Sequence, residues 1–437
     1  MSNKKVYGID LGTSYSLIGR GDTMYTGLVS SNVDLGTMSQ VSRDVTGSLV
    51  RSGYKVDMTT GKSGEMPIKA STIILKDLAA KVEQTTGEKV EDVIISVPAK
   101  FSHTQRQAVM IAGKDAGLNV RGIVNEPTAA ALYACQKPGL YMVFDLGGGT
   151  FDITILDTTL GNAHVLCTDG IGHLGGNDFD DAIIKLIFQK HKVVIRKRTD
   201  EAMQQLACDV QKAKEDFQRS QMPQYIPLRQ FGLAETYVLT KEDYLTAMEV
   251  FKPTIIMARK VMGKLLQDEI PTLIFVGGST NCPFLRQWVA KELNLPMFIP
   301  DCKPDFTVAK GVAVYAKKVE DGMEIVYDVT KQLSIEDVDG VGQVIIEQDT
   351  PVPAEGNITA TNHDFTDVLR IKLYQGTELL CSKNDYIGTL EFNYGRMVEP
   401  GEGAVDITVT IDVNGIVELV GIDLCSGAVQ NVQLKAI

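Results

Sequence analysis

Two short stretches share one grammar, and that repetition constrains the chain more than any single motif. Phe144-Asp145-Leu146-Gly147-Gly148-Gly149-Thr150-Phe151-Asp152 follows an apolar run, Tyr141 to Phe144, and leads into another, Phe151 to Leu156. The two runs read as the strands of a hairpin, with three glycines as the turn. Near the N-terminus, Tyr7-Gly8-Ile9-Asp10-Leu11-Gly12-Thr13-Ser14-Tyr15-Ser16 repeats the order: strand, Asp-Leu-Gly, hydroxyl residue, strand. Two copies roughly 135 positions apart predict a duplicated domain whose halves face each other across one ligand.

Glycines in the turn permit positive φ and remove every Cβ, so backbone N–H groups can converge on a phosphate. Asp145 and Asp152 bracket that turn. Acids beside a phosphate cradle repel the ligand unless a divalent cation lies between them. An ordinary glycine-rich hairpin explains either copy alone; the doubling favours a phosphate clamp.

A chain of 437 residues has room for two to four domains. Its net charge of −12 argues against a general nucleic-acid or membrane-surface binder, which is normally basic. No apolar run approaches a membrane span, and Met1-Ser2-Asn3-Lys4-Lys5 leads directly into a strand, so no signal peptide is expected. The seven cysteines are scattered without a CxxC pair, which predicts buried free thiols and a cytoplasmic location. The five histidines show no metal-ligand spacing.

Taken in order, a first hairpin over about 5–20 is followed by residues 21–69, which have no clear periodicity. Helical spacing returns at 70–86, through Ile73, Ile74, Leu78 and Val82. Val93 to Val97 is a strand ended by Pro98, Gln105 to Ala116 a helix stopped by Gly117, and Ile123-Val124 a short strand before a helix opened by Glu126-Pro127. Ala163 to Cys167 reads as a third strand of the second unit, and His173-Leu174-Gly175-Gly176 as a glycine turn opening a helix over 179–190. Helices over 200–219 and 241–267 precede the strand and turn Leu273 to Thr280, with further helices from about Pro283 and over 308–317. The small-residue run Ala309-Lys310-Gly311-Val312-Ala313 suits close helix packing. Residues 319–329 read as an acidic, then apolar linker. Beyond it, short alternating segments, Gln343–Glu347, Val368–Tyr374, Thr389–Phe392, Val405–Val413 and Ile416–Ile422, predict an antiparallel β-sandwich. The expected division is 1–318, 319–329 and 330–437.

In order along the chain, GIDLGTSYS (8–16), VIISVPAKFSHTQRQA (93–108), VNEPTAAAL (124–132), FDLGGGTFDITIL (144–156), HLGGNDFD (173–180), FVGGST (275–280) and PDFTVAKGVAVYA (304–316) resemble the heat-shock protein 70 family of DnaK-type molecular chaperones. The resemblance covers nearly the whole chain. It implies an α/β actin-like (duplicated RNase H-like) ATPase domain of two lobes around a nucleotide cleft, then a hydrophobic linker and an all-β sandwich that grips extended peptides.

Carried over, Asp10, Asp145 and Asp152 hold Mg2+ through water and orient the attacking water, with Glu126 beside them. Gly12, Thr13, Ser14 and Tyr15 match the first phosphate loop, and Gly147, Gly148, Gly149 and Thr150 the second. Gly175 and Gly176 border the ribose and phosphates, Gln211 and Lys214 contact the nucleoside, Gly277, Gly278 and Ser279 match the adenosine motif, and Asp305 lies near the ribose. Pro98, Arg106 and Asp328 match the relay between the domains. Val338, Leu369 and Ile371 line a groove that takes a peptide as an added strand; their alternative is plain sandwich core.

The departures bear on activity. The stretch between the first hairpin and the helix at Ala70 is shorter than in the family, and the family's catalytic lysine lies there. Lys55, Lys62 and Lys69 are the candidates, with Arg43 and Arg51 as cationic stand-ins. Loss of that cation removes about 2–4 kcal/mol of transition-state stabilisation. Glu215 and Asn281 stand where some relatives place adenine-stacking arginines, and Asn177 replaces the acid after the HLGG glycines. The sequence reaches Ile437 without the family's helical lid, so a compact variant is expected. The leading reading is an ATP-dependent chaperone that binds unfolded or extended peptides, uses ATP/ADP and Mg2+, and works with a J-domain co-chaperone and a nucleotide-exchange factor. The alternative is a nucleotide-binding interaction or assembly protein with weak or no ATPase. A small-molecule kinase on the same scaffold is disfavoured by the β-rich domain after an apolar linker.

Overall fold

In the computed structural model, the two Asp-Leu-Gly units occupy equivalent places in two sheets of one topology. The structure describes residues 4–42, 50–51, 53–58, 64–135, 137–159, 163–191, 199–266, 269–322 and 329–432. In the first lobe, β1 (Val6–Asp10), β2 (Tyr15–Arg20) and β3 (Thr23–Met24) form an antiparallel meander. Four short strands follow, β4 (Val29–Ser30), β5 (Asn32–Asp34), β6 (Ser39–Val41) and β7 (Val50–Arg51), and then α1 (Glu65–Thr86). Two parallel strands, β8 (Asp92–Val97) and β9 (Asn119–Asn125), are joined by α2 (His103–Asp115), and α3 (Glu126–Ala134) closes the unit. The sheet runs β3-β2-β1-β8-β9, with β4 attached to β2.

The second lobe repeats this plan. Its meander is β10 (Leu140–Leu146), β11 (Phe151–Asp157) and β12 (His164–Ile171). An inserted layer follows: α4 (Gly176–His191), α5 (Asp200–Ser220), the ribbon β13 (Gln224–Pro227) and β14 (Thr236–Leu239), α6 (Lys241–Met248) and α7 (Lys252–Met262). Parallel strands β15 (Thr272–Val276) and β16 (Met297–Phe298) are joined by α8 (Pro283–Leu293), and α9 (Pro304–Glu320) ends the lobe. The order β12-β11-β10-β15-β16 matches the first sheet strand for strand. β1 and β8 are buried along their whole length, as parallel strands covered on both faces must be.

Each lobe has its own apolar core. A third cluster joins them along α3 and α9, where Ala129, Ala130 and Ala131 face Val308, Val312 and Ala316. A Cβ on Gly311 would lie 1.8 Å from the Ala129 carbonyl oxygen, so only glycine allows this crossing. The small-residue run in α9 therefore packs closely, as its sequence predicts.

The C-terminal part is a sandwich of two antiparallel sheets around one core. Its strands are β17 (Leu333–Glu336), β18 (Gly342–Ile346), β19 (Ala354–Thr361), β20 (Thr366–Gln375), β21 (Asp385–Val398), β22 (Ala404–Ile411), β23 (Val417–Asp423) and β24 (Val429–Val432). The sheets are β18-β17-β20-β21 and β19-β22-β23-β24. The expected fold class, two α/β lobes and then a β-sandwich, is the one found. Three strands had no sequence signal: β17 and β24 are only four residues long, and β19 carries one large apolar side chain, Ile358. α9 runs to Glu320, into the stretch read as linker, because Arg20 Nε (2.8 Å) and the Val6 N–H (3.0 Å) donate to Glu320 and pin that last turn. Ile325 to Asp328, the apolar part of the linker with the expected relay residue Asp328, lies outside the described residues.

The sandwich is seated against both lobes. Arg106 Nη1 donates to the Asn414 carbonyl at 3.1 Å, the Ile123 N–H to Asn414 Oδ1 at 2.9 Å, and the Val417 N–H to His103 Nδ1 at 2.9 Å. On the second lobe, Lys264 pairs with Asp349. All seven cysteines are free thiols, but only Cys167, Cys282 and Cys381 are buried and Cys425 is exposed. Among the described residues, no helix is long and apolar enough to cross a membrane.

Candidate nucleotide-binding site

The duplicated topology brings both Asp-Leu-Gly loops to one cleft between the lobes, with a volume of about 400 Å3. From the first lobe it is lined by Asp10 at the end of β1, and by Gly12, Thr13, Ser14 and Tyr15. From the second come Asp145, Gly147, Gly148 and Thr150 of the β10–β11 turn. Gly176, Gln211, Lys214, Gly277, Gly278, Ser279 and Asp305 form the opposite wall. Most of the expected cleft residues, separated by up to 295 positions, therefore converge.

None of the three turn glycines takes a left-handed φ. Their role is close approach instead: a Cβ on Gly148 would lie 2.3 Å from Ser14 Oγ, so the two phosphate loops nearly touch across the cleft. Gly149 and Gly175 lie just behind that surface. The Leu174 N–H donates to the Gly149 carbonyl at 3.1 Å, and a Cβ on Gly175 would lie 2.5 Å from the Gly148 carbonyl carbon.

The acids form a buried layer under the loops. Asp145 and Asp152 are direct cross-strand partners on β10 and β11. Asp10 accepts from Ser96 Oγ at 2.9 Å, and Asp152 from the Lys100 N–H at 3.1 Å. Glu126, at the start of α3, faces them and forms a buried ion pair with Lys55. Burial and the Glu126 charge push Asp10 and Asp152 up to about 7 and Asp145 well above the usual carboxylate range, with Lys55 opposing in each case. Asp145 Oδ2 is buried with no hydrogen-bond partner. Four acids against one ammonium, one oxygen of them orphaned, fit a divalent cation. Among the described residues, no three acid, histidine or cysteine side chains are grouped to ligate an ion directly, so the set suits an ion held through water.

Of the cations the sequence offered, Lys55 lines the cleft. It lies in a single 3-10 turn, Tyr54–Asp57, entered through Gly53 at φ 66°, and its side chain is only 3% exposed. Lys69 instead pairs with Glu65 on the surface of α1. Arg43 and Lys62 are outside the described residues, as is the side chain of Arg51.

Lys214 lines the cleft and is tied into its wall. Its ammonium is buried, 2.7 Å from Asp180 and donating to the Gly176 carbonyl at 2.9 Å, so it braces the glycine turn from behind. Asp180, Ser96 and Lys100 each contact a residue of the site, and the sequence did not single them out. Asp305 keeps one buried carboxylate oxygen, Oδ1, without a partner, at the edge of the cleft beside Asn281. Glu215, Gln218 and Arg219 also line this end, with no aromatic or arginine sandwich formed by Asn281.

The remaining expected residues lie elsewhere. Pro98 and Arg106 line cavities between the lobes and the sandwich, Arg106 with its Nη2 donating to Asn125 Oδ1 at 2.6 Å. Val338 is 73% exposed in the β17–β18 loop, whereas Leu369 and Ile371 are in the sandwich core. Leu369 and Ile371 thus take inward pleat positions on β20, the alternative of plain sandwich core, and Val338 stands apart from them. The family model described as Hsp70 protein matches residues 35–437.

Proposed function

The chain belongs to the Hsp70 family, whose members are chaperone-type ATPases, and on that premise we propose that this cleft binds ATP with Mg2+ and hydrolyses it, controlling the engagement of extended peptides by the β-sandwich. The observation that carries the reading is the Lys55–Glu126 pair set against Asp10, Asp145 and Asp152 between two glycine loops. Phosphoryl transfer to water needs positioning and charge neutralisation more than a strong base. Backbone N–H groups of Gly148, Gly149 and Thr150 and the hydroxyls of Thr13 and Ser14 hold the phosphates, while the Gly147 N–H closes the turn on the Thr150 carbonyl. Lys55 offsets charge on the γ-phosphoryl oxygens, and Glu126 fixes the ammonium in place. Asp152 and Asp10 orient the attacking water, and Gln211, Ser279 and Asp305 receive the nucleoside. Asp10, Asp145 and Asp152 would hold the metal ion through water, where it would add to the neutralisation of phosphate charge. The products are ADP and inorganic phosphate.

The contacts of Arg106, His103 and Lys264 with the sandwich supply the coupling. Occupancy of the cleft biases the lobe arrangement, and the lobes bias sandwich docking. We place this activity in the cytoplasm, with a J-domain co-chaperone and an exchange factor as partners. The free thiols suit a reducing compartment. Single-turnover hydrolysis of ATP, with and without an extended apolar peptide, tests the proposal. A nucleotide-dependent change in peptide affinity is expected, and its absence overturns the chaperone reading.

One observation favours a second reading. Leu369 and Ile371 are core residues, so these two side chains are not open to a peptide in this arrangement. A nucleotide-switched assembly protein needs no peptide groove. It predicts docking changes with ATP but no peptide effect in the same experiment.

A further inference from the structure

A second cavity, of about 370 Å3, opens where both lobes meet the sandwich. Thr150 lines this cavity as well as the nucleotide cleft, so the two spaces share a wall at the phosphate end. Three lysines reach it from three parts of the fold: Lys100 from the β8–α2 loop, Lys260 from α7 and Lys331 from just before β17. Asp169, itself buried, takes Lys100 at 2.6 Å and Lys260 at 2.9 Å. Asp349 takes Lys264. That leaves Lys331 with Asp385, which is 3.7 Å away and largely exposed.

Of these lysines, Lys331 is the one whose carboxylate partner stands beyond hydrogen-bond distance. Its side chain is 18% exposed, and its Nζ donates to the Lys100 carbonyl. Burial, with Lys100 and Arg106 adding to it, pushes Lys331 down to about 8, and Asp385 and Asp152 oppose. A mostly buried ammonium beside two other cations is costly unless an anion joins it. Each ammonium carries three donors, and these contacts leave N–H groups of Lys331 and Lys100 to spend on a ligand. Thr330, Thr377 and Gln332 add polar groups to the same walls.

We propose that this cavity is a binding site for inorganic phosphate, held by Lys331 and Lys100 across the junction of the first lobe and the sandwich. A tetrahedral dianion satisfies several ammonium donors at once and gives Lys331 the close anionic partner that Asp385, at 3.7 Å, does not. Bound there, it ties the sandwich to the first lobe, so phosphate and docking favour each other reciprocally. That the phosphate originates in the cleft rests on the ATPase reading; that the cavity binds it does not.

The test uses the full chain with its cleft filled by a non-hydrolysable ATP analogue, which blocks the γ-phosphate position. Orthophosphate is titrated by calorimetry, with a fluorescent pair reporting lobe–sandwich distance, and sodium chloride at matched ionic strength controls for screening. Saturable one-to-one binding is expected, weakened roughly tenfold by Lys331→Gln and retained within about threefold by Lys331→Arg. The docked fraction should rise with phosphate in the wild type and not in Lys331→Gln. No saturable binding, equal binding in Lys331→Gln, or the same response to chloride overturns the site. Analogue loading is read separately by displacement of fluorescent ADP. A cleft that takes no nucleotide therefore sinks the ATPase reading, while the phosphate titration on the same protein still decides the cavity.

Discussion

Lys55 and Glu126, 71 residues apart, form a buried ion pair that holds an ammonium among the acids of the cleft. The pair joins a 3-10 turn from the unpatterned part of the first lobe to the first residue of α3. It gives the cleft the cation that phosphoryl transfer needs.

Lys55→Met should slow single-turnover ATP hydrolysis by roughly 100- to 1,000-fold, about 3–4 kcal/mol of barrier. ATP affinity, measured by calorimetry, should stay within about threefold, because the loss is concentrated in the transition state. An unchanged rate would show that Lys55 only supports Glu126.

Gly148→Ala should weaken ATP binding by roughly tenfold, because its Cβ would lie 2.3 Å from Ser14 Oγ and force the loops apart. Ser14→Ala should relieve that clash. A double-mutant cycle on ATP affinity should give a coupling of about 1 kcal/mol or more; additivity would mean that the loops do not approach in solution.

Docking should weaken with acid through His103. Its ring is buried against the sandwich, Nδ1 accepts from Val417, and Nε2 has no partner. Burial pushes it down to about 4, Arg106 on its own helix acting the same way and Asp412 of the sandwich opposing. A base held below its ordinary value binds fewer protons docked than free. Its contribution is therefore complete above about 6.5, the ordinary histidine value, and is lost as pH falls from there toward 4. The full effect is about 3 kcal/mol. Lobe–sandwich distance measured by fluorescence from pH 7.5 to 5 should report undocking, and His103→Gln should flatten the profile. A wild-type profile as flat as the variant's would remove His103 from docking.

Gly311→Ala should destabilise the two-lobed domain by about 1–3 kcal/mol, since the added methyl meets the Ala129 carbonyl at 1.8 Å. Urea unfolding of the full chain should show a lower midpoint with an unchanged slope. An unaltered midpoint would mean that the two helices part at no cost.

The cleft was legible wherever its chemistry sits on strand–turn–strand units. Asp10, Asp145 and the glycines announce themselves by a pattern that occurs twice. Lys55 did not, because its 3-10 turn lies in a segment with no period, where neither helix nor strand fixes which way a lysine points. The ion pair of Lys214 with Asp180 was not legible, because it depends on the packing of α4 against α5, which no local pattern encodes. Leu369 and Ile371 show the limit of alternation: period two says that both share a face, and only the second sheet says which face is inside.

The crossing of α3 and α9 carries one more consequence. Helices usually mesh through ridges of side chains, and such ridges must be climbed when one helix turns against another. At Gly311 and Ala129 there are no teeth to disengage, because backbone lies on backbone. The joint between the lobes is therefore a plain bearing: it fixes how near the halves stand while leaving their angle to whatever fills the space between them.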